Sequence, residues 1–202
     1  MKISSFTGGL TQTNGYLVET LDGNFLIDAP EDVAEWITKK GVRIDDVLLT
    51  HQHYDHVMDA AALQKAGARI HAYAPYSTDL TLETAARAWG MPITVTPYQT
   101  DVLLDVNSPL RLAGIDISLA HVPGHATDAV TFHLDGHGIL FSGDTLFAGS
   151  IGRTDLPGGN TRQLLDGIRL HLLSLPPETS VLSGHGPPTT IGSEVQSNPF
   201  LR

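Results

Sequence analysis

The chain contains no cysteine. Disulfides, thiolate metal ligands and a cysteine nucleophile are therefore all excluded. Basic residues are also scarce: 12 lysines and arginines stand against 22 aspartates and glutamates, a formal net charge of −10. A general nucleic-acid binder needs a basic face to displace counterions, so this balance speaks against that class. No stretch approaches the ~20 apolar residues that span a bilayer. The opening "MKISSFTGGLTQTNGYLVET" holds no apolar run suited to a signal sequence. The expectation is a cytoplasmic protein that acts on a small molecule, with no nucleic-acid or membrane partner. Its oligomeric state is left open. Linkers rich in serine or proline, low-complexity tracts and repeats are missing too. At 202 residues, 41% hydrophobic and 17% charged, the chain suits one domain over residues 1–202 with a sizeable core.

Short apolar runs alternate with helical patterns. "GYLVET" and "NFLID" flank Asp22-Gly23, a strong hairpin signal. "EDVAEWITKKG" places Val33, Trp36 and Ile37 on one helical face and reads Trp36 as core. Acidic residues open that helix; Lys39, Lys40 and Gly41 close it, as the helix dipole favours. "VLLT" reads as a buried strand, Ala60 to Lys65 as a helix, "RIHAYA" as a strand and Leu80 to Trp89 as a helix. The second half is richer in strands: "RLAGIDISLAHV", "AVTFHL", "GILFSGD" and "SVLSG". "TRQLLDGIRLHLLSL" forms a last helix with Leu164, Leu165, Ile168, Leu172 and Leu175 on one face. Strands and helices mixed in both halves imply an α/β layered architecture.

The buried strand "DDVLLT" runs directly into "HQHYDH". His51 and His53, two apart in extended chain, point to the same side, and Asp55 and His56 follow where the chain turns into a helix. Three other apolar runs end alike: "LAHVPGH" in His125, "ILFSGD" in Asp144 and "SVLSGH" in His185. Loops at strand ends are where scaffolds present chemistry. Five histidines and two aspartates make a set of nitrogen and oxygen donors suited to zinc, iron or manganese. A carboxylate can bridge two ions where a neutral imidazole cannot. Seven candidates including Asp144 therefore fit a dinuclear centre, with ions ~3.5 Å apart. The expected cofactor is two divalent metal ions, zinc first, with iron or manganese as alternatives.

These residues resemble the metallo-β-lactamase superfamily, an αββα four-layer sandwich. The resemblance implies His51, His53 and His125 on one metal, and Asp55, His56 and His185 on the other, with Asp144 bridging. It also implies a bridging hydroxide as nucleophile, oriented by Asp55. A typical β-lactamase lacks the bridging aspartate, and the flavodiiron branch carries glutamate where His53 stands. "SGDTLFAGSIGRTDLPGG" is similar to glyoxalase II-like thioesterases and their persulfide dioxygenase relatives. "GHGPPTTIGSEVQSNPF" is similar to a compact, single-domain glyoxalase II-like (hydroxyacylglutathione hydrolase-like) subgroup. The implied function is a metal-dependent hydrolase acting on acylated glutathione. The alternatives are a mononuclear iron persulfide dioxygenase, using His51, His125 and Asp144, and a lactone or phosphodiester hydrolase.

Other positions carry two readings each. Asp28 either fixes the tautomer of a ligand histidine or serves the turn before Pro30. Arg153 either contacts a substrate carboxylate or pairs with Asp155 to order its loop. Phe147 and Tyr76 read as packing residues. His71, His121, His133, His137 and His171 lack ligand spacing and read as ordinary histidines.

Overall fold

The computed structural model describes residues 1–202. One six-stranded sheet comprises β1 (Lys2–Gly8), β2 (Thr13–Glu19), β3 (Asn24–Ile27), β4 (Asp46–Leu48), β5 (Arg69–Ala72) and β6 (Val102–Leu103), in that order. The first three strands are antiparallel; from β3 onward the pairing is parallel. The second sheet contains β7 (Leu110–Leu112), β8 (Ile115–His121), β9 (Val130–Leu134) and β10 (Ile139–Gly143). A small hairpin, β11 (Leu146–Phe147) and β12 (Ser150–Ile151), follows it. Strands β13 (Ser180–Ser183) and β14 (Thr189–Thr190) then complete the second sheet, whose order is β14-β13-β10-β9-β8-β7.

Side chains alternate across a strand, so each sheet feeds two cores. Tyr16, Val18, Phe25, Ile27 and Leu48 point inward to meet Ile117, Val130, Phe132, Leu134 and Phe141 of the second sheet. Leu17, Leu26, Val47 and Leu49 point the other way, onto the helices α1 (Val33–Lys40), α2 (Tyr54–Val57) and α3 (Ala60–Lys65). On the far side, Leu140 and Val181 of the second sheet pack against Leu164, Ile168, Leu172 and Ile191. Those residues come from α5 (Thr161–Gly167), the wider turn that continues it over Ile168–Leu172, and α6 (Ile191–Ser197). The layers are therefore helix, sheet, sheet, helix, the expected αββα sandwich. The remaining helix, α4 (Glu83–Ala88), lies beside the site described below.

Three expectations need correction, and two elements were unanticipated. The run "RLAGIDISLAHV" is two strands, β7 and β8, because Ala113 and Gly114 both take positive φ (47° and 79°) and turn the chain back as a hairpin. The helix at Leu80 begins only at Glu83, since Leu82 takes a left-handed φ of 64°. Trp36 is half-buried at the rim of its core. Its ring packs against Phe6 at 5.3 Å, and the Lys40 ammonium sits 4.6 Å over it. Strand β1 was unanticipated, because an edge strand with one wet face shows little hydrophobicity, and "TRQLLDGIRLHLLSL" is not the last helix, since α6 follows it.

Candidate metal centre

Within each sheet, the strands that feed the site point the same way, so their C-terminal ends share one edge. Strands β3 and β4 are parallel, and Asp28 and His51 follow them. Strand β8 is antiparallel to β9, β9 to β10, and β10 is parallel to β13. His125, Asp144 and His185 therefore all emerge at one edge of the second sheet. The two edges are tied together at this point. Asn14 N donates to Gly184 O at 2.7 Å, Tyr16 Oη to Ser183 O at 2.7 Å, and Val130 N to Thr50 O at 2.8 Å.

All seven predicted residues converge there. Three sets of donor atoms lie mutually within 4.8 Å: His51, His53 and His125; His51, His56 and Asp144; and Asp55, His56 and His185. His51 and His53 share a side, their rings 4.6 Å apart. Gln52 between them turns away, donating to Ala74 O at 2.9 Å and accepting from Tyr98 Oη at 2.8 Å. Asp144 lies between the sets: its Oδ2 is 3.4 Å from His125 Nε2 and 3.3 Å from His185 Nε2, and its Oδ1 is 3.4 Å from His56 Nε2. His185 Nε2 is also 3.3 Å from Asp55 Oδ2. Ligands ~2.1 Å from a tetrahedral ion stand about 3.4 Å from one another, so these spacings suit shared cations.

The buried donors fit such ions chemically. His51 Nε2, His56 Nε2, His125 Nε2 and Asp144 Oδ1 are buried with no hydrogen-bond partner, an arrangement that is costly unless something else meets them. The opposite ring nitrogens are all engaged. His125 Nδ1 donates to Arg153 O at 2.9 Å, and His185 Nδ1 to Thr11 O at 3.1 Å. His56 Nδ1 donates to Asp28 Oδ2 at 2.8 Å. Thr50 Oγ1 donates to that same oxygen at 2.8 Å and accepts from His51 Nδ1 at 3.1 Å. These bonds make Nδ1 the donor in each ring and leave each Nε2 facing the centre, where once deprotonated it can offer a lone pair to a metal.

Asp28 thus sets two imidazoles, His56 directly and His51 through Thr50. It also accepts from Thr50 N at 2.7 Å and holds a left-handed φ of 58°. The tautomer-fixing reading of Asp28 is the one observed. Thr13 is the corresponding support for Asp55, donating to its Oδ2 at 2.7 Å. The sequence reading missed Thr13, since nothing local connects residues 42 apart. It also gave Thr50 no role, although its place just before His51 was a signal.

Two glycines let the strand ends crowd together. Gly143 has φ 50° and lies against Thr50, where a Cβ would come within 2.6 Å of the threonine Cβ. A Cβ on Gly184 would clash with Asp144 and lie 2.6 Å from His56 Cε1.

Electrostatics divide the cluster. Burial drives His51 well below the ordinary imidazole range, His53 down to about 3 and His125 downward, leaving neutral nitrogen donors. Burial opposes charge on His56 as well, but the carboxylates of Asp144, Asp28 and Asp55 outweigh it and raise His56 well above that range. At His185 burial is likewise outweighed by Asp144 and Asp55, which push it up to about 10. Asp55 and Asp144 are lowered, despite their burial, by the facing imidazoles. Without a metal, protons on His56 and His185 balance these carboxylates; divalent cations would displace them.

A cleft of about 860 Å³ opens onto the cluster, reaching His53, Asp55, His125, Asp144 and His185. Arg153 lies at its mouth in a two-pronged pair with Asp155, both bonds 2.7 Å, so its pairing role is the one observed. Phe147 lines the cleft, with its ring 6.2 Å from that of His185. Tyr76 packs on Tyr98 and donates to Glu83. The remaining histidines have other partners or face solvent. His71 pairs with Asp46 at 2.6 Å, His133 with Asp135 at 3.0 Å, and His121 stacks on Tyr73 while donating to Thr127 O. His137 and His171 are exposed.

Residues 8–185 match the family model described as the metallo-beta-lactamase superfamily. The chain belongs to the metallo-β-lactamase superfamily. Among its members, hydroxyacylglutathione hydrolase GloC of Haemophilus influenzae is 34% identical, over 94% of this chain and 93% of that one. The solved structure of the BLEG-1 B3 metallo-beta-lactamase superposes with a TM-score of 0.89 at 34% identity, covering 99% of both chains. TTHA1623, solved in a di-iron-bound form, superposes with a TM-score of 0.81 at 41% identity, covering 98% of this chain and all of that one. The superfamily fold and the histidine-aspartate cluster together support binding of divalent metal.

Proposed function

We propose that the protein is a binuclear metal-dependent hydrolase acting on a thioester, with acylated glutathione the substrate class to test first. The observation that carries this reading is Asp144, whose two oxygens face His125 and His56 from different donor sets at 3.4 Å each. In it, His51, His53 and His125 would hold one ion, Asp55, His56 and His185 would hold the other, and Asp144 would be available to both. Two such ions supply Lewis acidity, lowering the pKa of water from ~16 toward ~7 and polarising a carbonyl oxygen.

The chain's own residues do the positioning. Asp28 and Thr50 keep two imidazoles in the donor tautomer. Thr13 ties down one oxygen of Asp55, which leaves the other to orient the attacking water. A thiol with a pKa of ~8.5 leaves as thiolate, so no strong general acid is required. That agrees with a cleft whose lining includes no lysine and whose arginine is already paired. The GloC relative, a hydroxyacylglutathione hydrolase, supports the thioester class.

The alternative is a mononuclear iron persulfide dioxygenase using His51, His125 and Asp144; the relative solved in a di-iron-bound form supports iron as a metal for this fold but not a single-iron site. The test is hydrolysis of lactoylglutathione by metal-loaded protein, with metal content measured on the same sample. Two ions per chain and a kcat/KM above ~10⁴ M⁻¹s⁻¹ are expected, both lost in His51→Ala and Asp144→Asn. One iron per chain, with persulfide-dependent oxygen uptake and no thioester cleavage, would overturn the proposal.

A further inference from the structure

Most of the cleft that opens onto the metal centre carries no charge. Along α4 and the chain after it, the wall consists of Leu82, Ala86, Trp89, Met91 and Ile93. Leu82 and Ala86 are buried at its base, whereas Trp89 is 54% and Met91 43% exposed. Large apolar side chains held in water beside a reactive centre are costly for a soluble protein and mark a ligand-binding surface. A second observation points the same way. Leu82 holds a left-handed φ of 64°, a strained conformation for leucine, at the point where the wall meets the start of α4. Arg153 is the only lysine or arginine in the lining, and Asp155 already holds it with two 2.7 Å bonds.

We infer that the Leu82–Ala86–Trp89–Met91–Ile93 wall binds an apolar acyl group, so that the enzyme selects thioesters by the hydrocarbon they carry. The inference rests on the thioesterase reading. In a thioester of a small polar thiol, the charges lie on the thiol. Away from the metal ligands, the polar lining is Thr11, Tyr54, Ser150, Arg153 and Asp155, which suits that end and leaves the acyl end for the apolar wall. Met91 is unbranched and adaptable and accommodates chains of different shape. Trp89 presents a broad flat face to an alkyl chain or an aryl ring.

The test is a series of acetyl, butyryl, hexanoyl and octanoyl thioesters on one carrier, glutathione, hydrolysed by the metal-loaded protein. In parallel, acetate and hexanoate are titrated calorimetrically into the same protein. The kcat/KM is expected to rise by up to about fourfold per methylene until the chain outgrows the wall, and hexanoate is expected to bind more tightly than acetate. Trp89→Ala and Met91→Ala, both at exposed positions, should each cut the hexanoyl-to-acetyl ratio at least threefold. Turnover with a flat chain-length profile would overturn the inference and leave the thioesterase reading standing. A steep profile unchanged in both variants would also overturn it, because the selectivity would then reside elsewhere. If no thioester is cleaved but hexanoate is preferred and Trp89→Ala abolishes that preference, the apolar site stands and the thioesterase reading falls. Absence of both turnover and preference would overturn both.

Discussion

Asp28→Asn separates positioning from packing at the metal centre. Asparagine matches aspartate in size and tolerates the left-handed φ of 58° that position 28 requires. Backbone strain is therefore not introduced. What changes is the chemistry of the atom now facing His56 Nδ1 and Thr50 Oγ1, 2.8 Å from each. If the amide oxygen keeps its bond from Thr50 N, the amide NH₂ meets a ring N–H and a hydroxyl donor. His56 relieves that clash by moving its proton to Nε2, the atom that faces Asp144 and Asp55. A protonated Nε2 cannot donate a lone pair. Loss of such an outer hydrogen bond reduces metal affinity by about 10- to 100-fold, or ~1.4–2.7 kcal/mol.

The loss should fall mainly on the ion held by Asp55, His56 and His185, because His51 reaches Asp28 only through Thr50. Competition titration with a chromophoric chelator resolves the two sites: one is expected to weaken by that factor and the other by less. Wild-type affinity at both sites, in a variant whose melting temperature is unchanged, would refute the tautomer argument.

Two further consequences concern stability and packing. Asp128 is buried with both carboxylate oxygens unpartnered, and burial pushes its carboxyl up to about 6. The unfolded group ionises near 3.8. Between those values the folded chain holds the extra proton, so this group's contribution favours folding at the acid end and is lost as pH rises through about 6. Asp128→Asn should therefore stabilise the protein at pH 7.5, by up to about 3 kcal/mol, with little effect at pH 4; denaturant unfolding at both values checks this, and equal stability of the two proteins at pH 7.5 would count against it. Gly184→Ala should abolish binding at the His56 side of the centre, because the new methyl collides with Asp144 and crowds His56. Retention of two ions per chain, measured by elemental analysis, would show that the strand end can shift.

The legible parts of the centre were those written locally. "HQHYDH" after a buried run, and His125, Asp144 and His185 after three others, stand out because apolar strands rarely end in clustered donors. An α/β layering was legible because unbroken apolar runs such as those in "GYLVET" and "GILFSGD" mark strands buried on both faces; the four-layer form was implied by the family resemblance. The failures were also local in origin. No Asn-Gly or Asp-Gly pair marks the turn in "RLAGIDISLAHV", so Ala113-Gly114 passed as strand interior. Strand β1 was silent because its outer face is wet. Trp36 carried the hydrophobicity of a core residue, but its neighbours leave it at the rim.

By itself, the sequence determined the donor set and its position at strand ends, since residue identity and hydrophobic period are properties of neighbouring positions. Only the tertiary structure decided how the donors group around Asp144 and which ring nitrogen of each imidazole faces inward. It alone raised an apolar wall from residues 82–93 beside them. They depend on distances between residues as far apart as 19 to 174 positions, which are set where the two sheets meet and are encoded in no single stretch of chain.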